Sequence, residues 1–282
     1  VHKRSFFISY MFPVIKRLES RIIKVRLSMK LEGKIAAITG GTRGIGRGMA
    51  EAFIAEGASV VINGRNEDKG QRALAEMGVG DRAIFVQGDV TESGVMDHLI
   101  EATVKNYGKI DILVNNAGGA GDFAPVVDLS DEGFDFAMKW NLYATFWGMR
   151  AALRHMIPQE SGRIINISSV EGKHGKAGIA QYVSAKHAIN GLTKSCAKEV
   201  GTMGITVNSI CPGLIMTDIV NESGAAAAES MGLTFDEMVE QFSSESSIKR
   251  PNTVEEVAAM AVLLASDEAS GITGALLSVD GG

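Results

Sequence analysis

The stretch Lys34–Gly46, which reads KIAAITGGTRGIG, decides how this chain folds. It opens with a short apolar run, typical of a strand that is buried on both faces of a parallel sheet. Gly40, Gly44 and Gly46 follow, and without Cβ atoms they let the backbone turn sharply and approach a ligand closely. Helical spacing begins at once in Ile45–Glu56, and such a helix presents N–H groups and a positive dipole end. Together these features predict a pyrophosphate site, with a tight turn that binds no ligand as the alternative.

The same alternation of apolar runs and helical segments continues to the end of the chain. Glu92–Tyr107, for example, places Val95, Leu99, Ala102 and Val104 on one side of a helix. Strands that alternate with helices predict right-handed crossovers and a doubly wound parallel α/β sheet. The predicted strands are Lys34–Thr39, Ser59–Asn63, Ala83–Gln87, Ile110–Asn115, Arg163–Ser168, Thr206–Ile210 and Leu276–Val279.

The composition excludes several classes of protein. The chain has 282 residues, of which 45% are hydrophobic and 22% charged, and this is compatible with one α/β domain. A net charge of -5 argues against a nucleic-acid partner, and no apolar run approaches the roughly 18 residues of a membrane span. Cys196 and Cys211 lack metal-ligand spacing, so we expect two buried free thiols, no metal site and a cytoplasmic protein.

Residues 1–28 differ in kind from the rest of the chain. They contain seven Lys or Arg and a single acid, Glu19. We predict a disordered extension, with an organelle transit peptide or a membrane-surface anchor as alternatives. Residues 29–282 are then predicted to form a single catalytic domain, with a lid at about 214–250.

Six motifs occur in order along residues 30–282. They are Gly40-x-x-x-Gly44-x-Gly46, Asp89-Val90, Asn115-Asn116-Ala117-Gly118, Asn141 within a long helix, Ser169 thirteen residues before Tyr182-x-x-x-Lys186, and Cys211-Pro212-Gly213 with Thr217. With these motifs the chain resembles the short-chain dehydrogenase/reductase family. The resemblance implies one Rossmann-like domain of seven parallel strands in the order 3-2-1-4-5-6-7. It also implies nicotinamide-dependent oxidation of alcohols or reduction of carbonyls, and a homotetramer.

The predicted acid/base chemistry depends on the spacing of Tyr182 and Lys186. Residues four apart share one face of a helix. A tyrosine with a pKa near 10 is a poor acid at neutral pH, and a nearby cation lowers that pKa. We therefore predict that Tyr182 is the general acid/base and that Lys186 is its electrostatic partner. A surface helix pair is the alternative.

Two further residues complete the predicted catalytic group. Ser169 follows a strand, where open α/β sheets place their ligands, and its hydroxyl can donate to the substrate oxygen. The adjacent Ser168 is the rival. The resemblance implies that Lys186 also binds the nicotinamide ribose and that Asn141 orders a water for proton relay. A helix kink or cap is the alternative for Asn141.

The end of the second predicted strand favours NADP(H) over NAD(H). Val60–Asn66 contains no acid for a ribose 2′-hydroxyl, whereas Arg65 and Arg43 suit a 2′-phosphate. Each arginine could instead be a solvated surface charge. Tyr182, Lys186 and the three loop glycines are predicted to contact the cofactor, and the resemblance adds others. These are Thr42, Ile45, Asp89, Val90, Asn116, Ala117, Gly118, Pro212, Gly213, Ile215 and Thr217.

The substrate is predicted to contact Gly119–Phe123, Val170–Ile179 and the insertion after Gly213. The insertion is rich in apolar side chains that either cover a hydrophobic substrate or only pack the lid: Ile215, Met216, Ile219, Met231, Leu233, Phe235 and Met238. Glu171 and Ile179 depart from the polar and basic residues with which hydroxybutyrate dehydrogenases bind a carboxylate. Nearby basic residues could contact an anionic substrate or lie in a solvated loop: Lys173, His174 and Lys176.

We therefore predict an NADP(H)-dependent reductase of a 3-oxoacyl thioester or another apolar ketone. The chain resembles bacterial 3-oxoacyl-thioester reductases, polyketide ketoreductases and 3-hydroxybutyrate dehydrogenases. An NAD-dependent alcohol or 3-hydroxy acid dehydrogenase is the alternative, followed by a non-catalytic dinucleotide-binding regulator. The helices that carry Asn141 and Tyr182 have apolar residues on more than one face, as a tetramer requires: Trp140, Leu142, Phe146, Trp147, Met149 and Leu153.

Overall fold

The computed structural model describes residues 29–218, 220, 224–225, 228–229 and 232–282. The basic segment 1–28 lies outside the described residues, and so do Ile219 and Met231 of the predicted lid.

Seven parallel strands form one sheet in the described part of the chain, in the order β3-β2-β1-β4-β5-β6-β7. This confirms the predicted fold class and strand order. β6 is longer than predicted and every one of its residues is buried. The strands are β1 (Ile35–Ile38), β2 (Ser59–Gly64), β3 (Ala83–Gln87), β4 (Ile112–Asn115), β5 (Gly162–Ile167), β6 (Ile205–Pro212) and β7 (Leu276–Val279).

Helices cover both faces of this sheet. They are α1 (Gly44–Ala55), α2 (Glu67–Met77), α3 (Val95–Tyr107), α4 (Asp131–Ala137), α5 (Ala144–Gln159), α6 (Ala180–Val200), α7 (Phe235–Glu245) and α8 (Val254–Ala265), with a π-helical turn at Met138–Tyr143. α3 starts three residues later than predicted, because Gly94 before it is left-handed with φ 93°. α7 and α8 each begin with a capping box, formed by Thr234 and Thr253 respectively.

Two apolar clusters fill the space between the sheet and its helices. Ile38 belongs to one cluster and Ala37 to the other, because successive side chains of a strand point to opposite faces. The first cluster includes Phe53 of α1 and Leu264 of α8, and the second includes Leu99 of α3. Burial on both faces explains why the strands are continuous apolar runs.

The strand order reverses between β1 and β4, and this places a crevice at the carboxyl ends of these strands. Thr39 ties the two strand ends together. Its hydroxyl accepts hydrogen bonds from the main-chain N–H groups of Asn116 (2.9 Å) and Ala117 (3.0 Å). The topology therefore puts the glycine loop after β1 beside the Asn115–Gly118 motif after β4.

Two smaller predictions concern the cysteines and membrane-spanning helices. Cys196 and Cys211 are both free and buried, as predicted. Within the ranges that the structure describes, no helix is long and apolar enough to cross a membrane.

Candidate active site

The glycine loop has the shape that a bound phosphate requires. Gly40 and Gly44 adopt left-handed φ values of 62° and 55°, which side chains rarely tolerate. A Cβ at Gly46 would lie 2.5 Å from Nδ2 of Asn116 and closer still to the carbonyl oxygen of Gly40. The loop therefore packs tightly on β4 and turns the N-terminus of α1 toward the crevice, where an anion is stabilised. These residues fit a dinucleotide.

A cavity of about 380 Å³ runs from this loop to the end of β6. The predicted residues Gly46 and Asn141 do not line it. All the other predicted site residues do: Gly40, Thr42, Arg43, Gly44, Ile45, Arg65, Asp89, Val90, Asn116, Ala117, Gly118, Ser169, Tyr182, Lys186, Pro212, Gly213, Ile215 and Thr217. Motifs spread over nearly 180 positions thus meet in one crevice.

Tyr182 and Lys186 share one face of α6, as their spacing predicts. Nζ of Lys186 lies 5.3 Å from the centre of the Tyr182 ring and donates a hydrogen bond to the carbonyl of Ile167 (2.8 Å). Lys186 is only 3% exposed, and burial lowers its pKa to about 8. The surface-pair alternative is therefore wrong for this helix.

The prediction that the pKa of Tyr182 falls is wrong for this arrangement of side chains, because its pKa is raised. Burial raises the pKa of the phenol, the charge of Glu171 adds to that rise, and a hydrogen bond with Ser169 opposes it. Tyr182 is therefore protonated at neutral pH, as an ordinary phenol is, and is the weaker acid for the rise in its pKa. The protonated phenol can donate to a carbonyl oxygen that accepts hydride.

The two adjacent serines have different partners. Ser168 donates its hydroxyl hydrogen bond to the main-chain oxygen of Lys186 (3.2 Å), so it joins β5 to α6. Both serines line the cavity, but only Ser169 forms a hydrogen bond with Tyr182, and its hydroxyl donates to the carboxylate of Glu171. The geometry therefore favours Ser169 over Ser168 as the residue that meets the substrate oxygen.

Asn141 acts on the loop behind the cavity. It is fully buried in the π-helical turn, and its amide accepts from the N–H of Gly119 (3.1 Å) and donates to the Gly119 carbonyl (3.0 Å). Its side chain also packs against Gly118, where a Cβ would collide with Oδ1. Asn141 thus positions the Gly118–Gly119 backbone, and its role in a water relay stays a prediction.

Positive side chains gather at the end of β2. Arg43, Arg65 and Lys69 all line the cavity there, and Arg65 is 4.0 Å from the carboxylate of Asp89. Lys69 was not among the predicted site residues. Asn66 caps α2 by accepting from the N–H of Lys69 (2.8 Å) and so brings Lys69 to this edge. Other lining residues that were not predicted are Asn63, Gly64, Asn66, Gly88, Trp140 and Ile167, whereas Leu214 and Val220 belong to the insertion predicted to contact the substrate.

Three basic residues follow β5, and the interpretation that they lie in a solvated loop is wrong for Lys173 and Lys176. Lys173 donates hydrogen bonds to the carbonyl of Leu276 (2.9 Å) and the hydroxyl of Ser278 (2.7 Å) on β7. Nζ of Lys176 lies 3.3 Å from the ring centre of Phe242 on α7.

Comparison with known proteins agrees with this geometry. A family model described as enoyl-(acyl carrier protein) reductase matches residues 40–282. The chain belongs to the short-chain dehydrogenase/reductase family. Members of this family are oxidoreductases that act on hydroxy and keto groups, so the protein is an enzyme of this class, and its neighbours support a ketone reductase.

Curated relatives match this dehydrogenase/reductase along most of its length. D-beta-hydroxybutyrate dehydrogenase of Cupriavidus necator is 35% identical over 89% of this chain and 98% of its own length. The 3-oxoacyl-(acyl-carrier-protein) reductase FabG of Chlamydia muridarum is 37% identical over 89% and 98%. A variant of actinorhodin polyketide ketoreductase solved with NADPH has a TM-score of 0.84 at 32% identity, covering 88% of this chain and 96% of its own.

The buried ammonium of Lys186 leads to a pH-dependent stability. Because its pKa falls from 10.5 to about 8 on folding, the unfolded chain binds more protons between these values. The free energy of unfolding should therefore rise with pH, by about 2 kcal/mol between about pH 7.5 and about pH 9.5. Urea unfolding of the wild type and of Lys186→Met at both pH values measures this. Equal pH dependence in the two proteins would contradict it.

Proposed function

We propose that the protein reduces a 3-oxoacyl thioester or another apolar ketone with NADPH. The main observation that supports this proposal is a single cavity that runs from the positive side chains after β2, past the glycine loop, to Ser169 and Tyr182. Relatives that carry the names of 3-oxoacyl-thioester reductase and polyketide ketoreductase support the substrate class. The lid predicted at about 214–250 is proposed to cover that substrate.

The catalytic roles follow from the side chains at the inner end of the cavity. When bound, NADPH supplies the hydride. Tyr182, which is protonated at neutral pH, donates its proton to the substrate oxygen. Ser169 stabilises the charge that develops there when its hydroxyl turns from Glu171 and donates to that oxygen instead. Lys186 holds positive charge next to the phenol and is fixed by the Ile167 carbonyl. Asn141 positions the Gly118–Gly119 backbone behind this group.

Arg65 is proposed to bind the 2′-phosphate of NADPH, together with Arg43 and Lys69. Arg65→Ala should raise the Kd for NADPH about 10-fold, because it removes a charge-assisted hydrogen bond at an exposed site, and leave the Kd for NADH unchanged. Arg72→Ala is the matched control, since Arg72 is exposed on α2 and does not line the cavity. Fluorescence titration with both cofactors measures the difference. Tighter binding of NADH that Arg65→Ala does not alter would refute the assignment.

A parallel assay with NADPH and NADH tests the proposed function. The compounds are a 3-oxobutanoyl thioester, cyclic ketones and small keto acids, and we expect the fastest turnover for the thioester with NADPH. Faster NAD-linked oxidation of a 3-hydroxy acid would support the alternative, which the similarity to the Cupriavidus necator enzyme favours. Cofactor binding without hydride transfer to any compound would indicate a regulator.

Assembly as a homotetramer and location in the cytoplasm stay predictions. Exposed aromatic side chains on α4, the π-helical turn and α5 support a covered face: Phe134, Phe136, Tyr143 and Phe146. The role of residues 1–28 also stays a prediction.

A further inference from the structure

Glu171 places a negative charge beside the catalytic group. It lies in the short 3₁₀ turn Val170–Gly172 that follows Ser169, and its side chain is only 20% exposed. Its Oε2 accepts the hydrogen bond from the Ser169 hydroxyl. The same carboxylate is near enough to Tyr182 to contribute to the raised pKa of the phenol. A substrate oxygen that reaches Ser169 and Tyr182 must therefore approach this carboxylate.

Lys176 only partly compensates that charge. Its Nζ lies 3.9 Å from Oε1 of Glu171, which is at the limit of an ion pair. The same ammonium lies over the ring of Phe242 on α7, so it is held between the carboxylate and a helix that falls within the predicted lid. Each carboxylate oxygen thus has a separate partner, and the side that faces Ser169 accepts a hydrogen bond from a neutral hydroxyl.

We propose that Glu171 is a specificity-determining residue that selects neutral ketones and rejects keto acids whose carboxylate lies close to the reacting carbonyl. This inference rests on the proposed function and refines its substrate class. The physical reason is that two negative charges several ångströms apart repel each other strongly in a site of low effective dielectric constant. A thioester or ester next to the carbonyl carries no such charge.

The substrate pair that isolates this effect is 3-oxobutanoate and its ethyl ester, which share the same reacting ketone. For the wild type we expect a higher kcat/KM for the ester. Glu171→Gln keeps the size of the side chain and an acceptor for Ser169 but removes the charge. It should reduce the preference for the ester by about 10-fold or more. Lys176→Gln removes the compensating charge and should increase the preference.

Glu199→Gln is the matched control for the loss of one negative charge. Glu199 is exposed near the far end of α6, seventeen residues after Tyr182, and its carboxylate accepts from Ser195. The preference should not change in this variant. NADPH fluorescence titration, which does not depend on turnover, shows whether each variant keeps a folded cofactor site.

The outcomes separate this inference from the function on which it rests. Reduction of the ester by the wild type supports the proposed function by itself. An unchanged ratio in Glu171→Gln, or a wild type that prefers the free acid, overturns only the role of Glu171. Failure to reduce the ester, the acid and a 3-oxobutanoyl thioester overturns both.

Discussion

Replacing Tyr182 with Phe should lower kcat for ketone reduction by about 10²- to 10⁴-fold, the usual contribution of a general acid. The phenol is the proposed proton donor at the inner end of the cavity, and it is protonated at neutral pH. The Kd for NADPH should change little, because the ring remains in place. Stopped-flow reduction together with fluorescence titration measures both quantities.

Tyr107→Phe provides the control for the loss of a tyrosine hydroxyl. Tyr107 ends α3, and its hydroxyl donates to the carbonyl of Asp81 (2.8 Å), away from the cavity lining. Its kcat should match that of the wild type. If Tyr182→Phe turned over substrate as fast as Tyr107→Phe, the acid would have to be another group, and the catalytic assignment would fail.

The positions of the strands along the chain were predictable because each strand is a distinct apolar run, whereas their order in the sheet was implied by the family resemblance. β3 and β7 begin and end at the predicted residues, since turns and glycines bound these runs closely. The glycine loop was predictable for the same reason: Gly40 and Gly44 need left-handed backbone, and Gly46 has no room for a Cβ. Such constraints act locally, and the sequence displays them directly.

Contacts between distant segments were harder to predict. Lys176 contacts Phe242, which lies 66 residues later in the sequence, and no periodic pattern predicts this contact. The pKa of Tyr182 was expected to fall because a cation lies four residues away. Burial dominates instead, and Lys186 directs its ammonium to the Ile167 carbonyl, a contact that spacing along a helix cannot show. Electrostatic balance depends on burial, which only the folded chain determines.

Adding one methyl group at Gly46 should have the second large effect. In Gly46→Ala the new Cβ would lie 2.5 Å from Nδ2 of Asn116 and even closer to the carbonyl oxygen of Gly40. Neither group can move easily. Asn116 donates from Nδ2 to the carbonyl of Thr39 (2.9 Å), and Gly40 is held in a left-handed conformation. The loop must therefore shift away from β4.

This shift should weaken both folding and cofactor binding. Overpacking of this kind costs about 1–3 kcal/mol of stability, and a displaced loop should raise the Kd for NADPH by about 10²-fold. Thermal unfolding and fluorescence titration measure the two effects separately. Gly271→Ala is the control, because a Cβ there meets nothing within 4 Å and should leave the Kd unchanged. Wild-type affinity in a folded Gly46→Ala protein would mean that the phosphates do not bind at this loop, and the cofactor site would have to be placed elsewhere along the cavity.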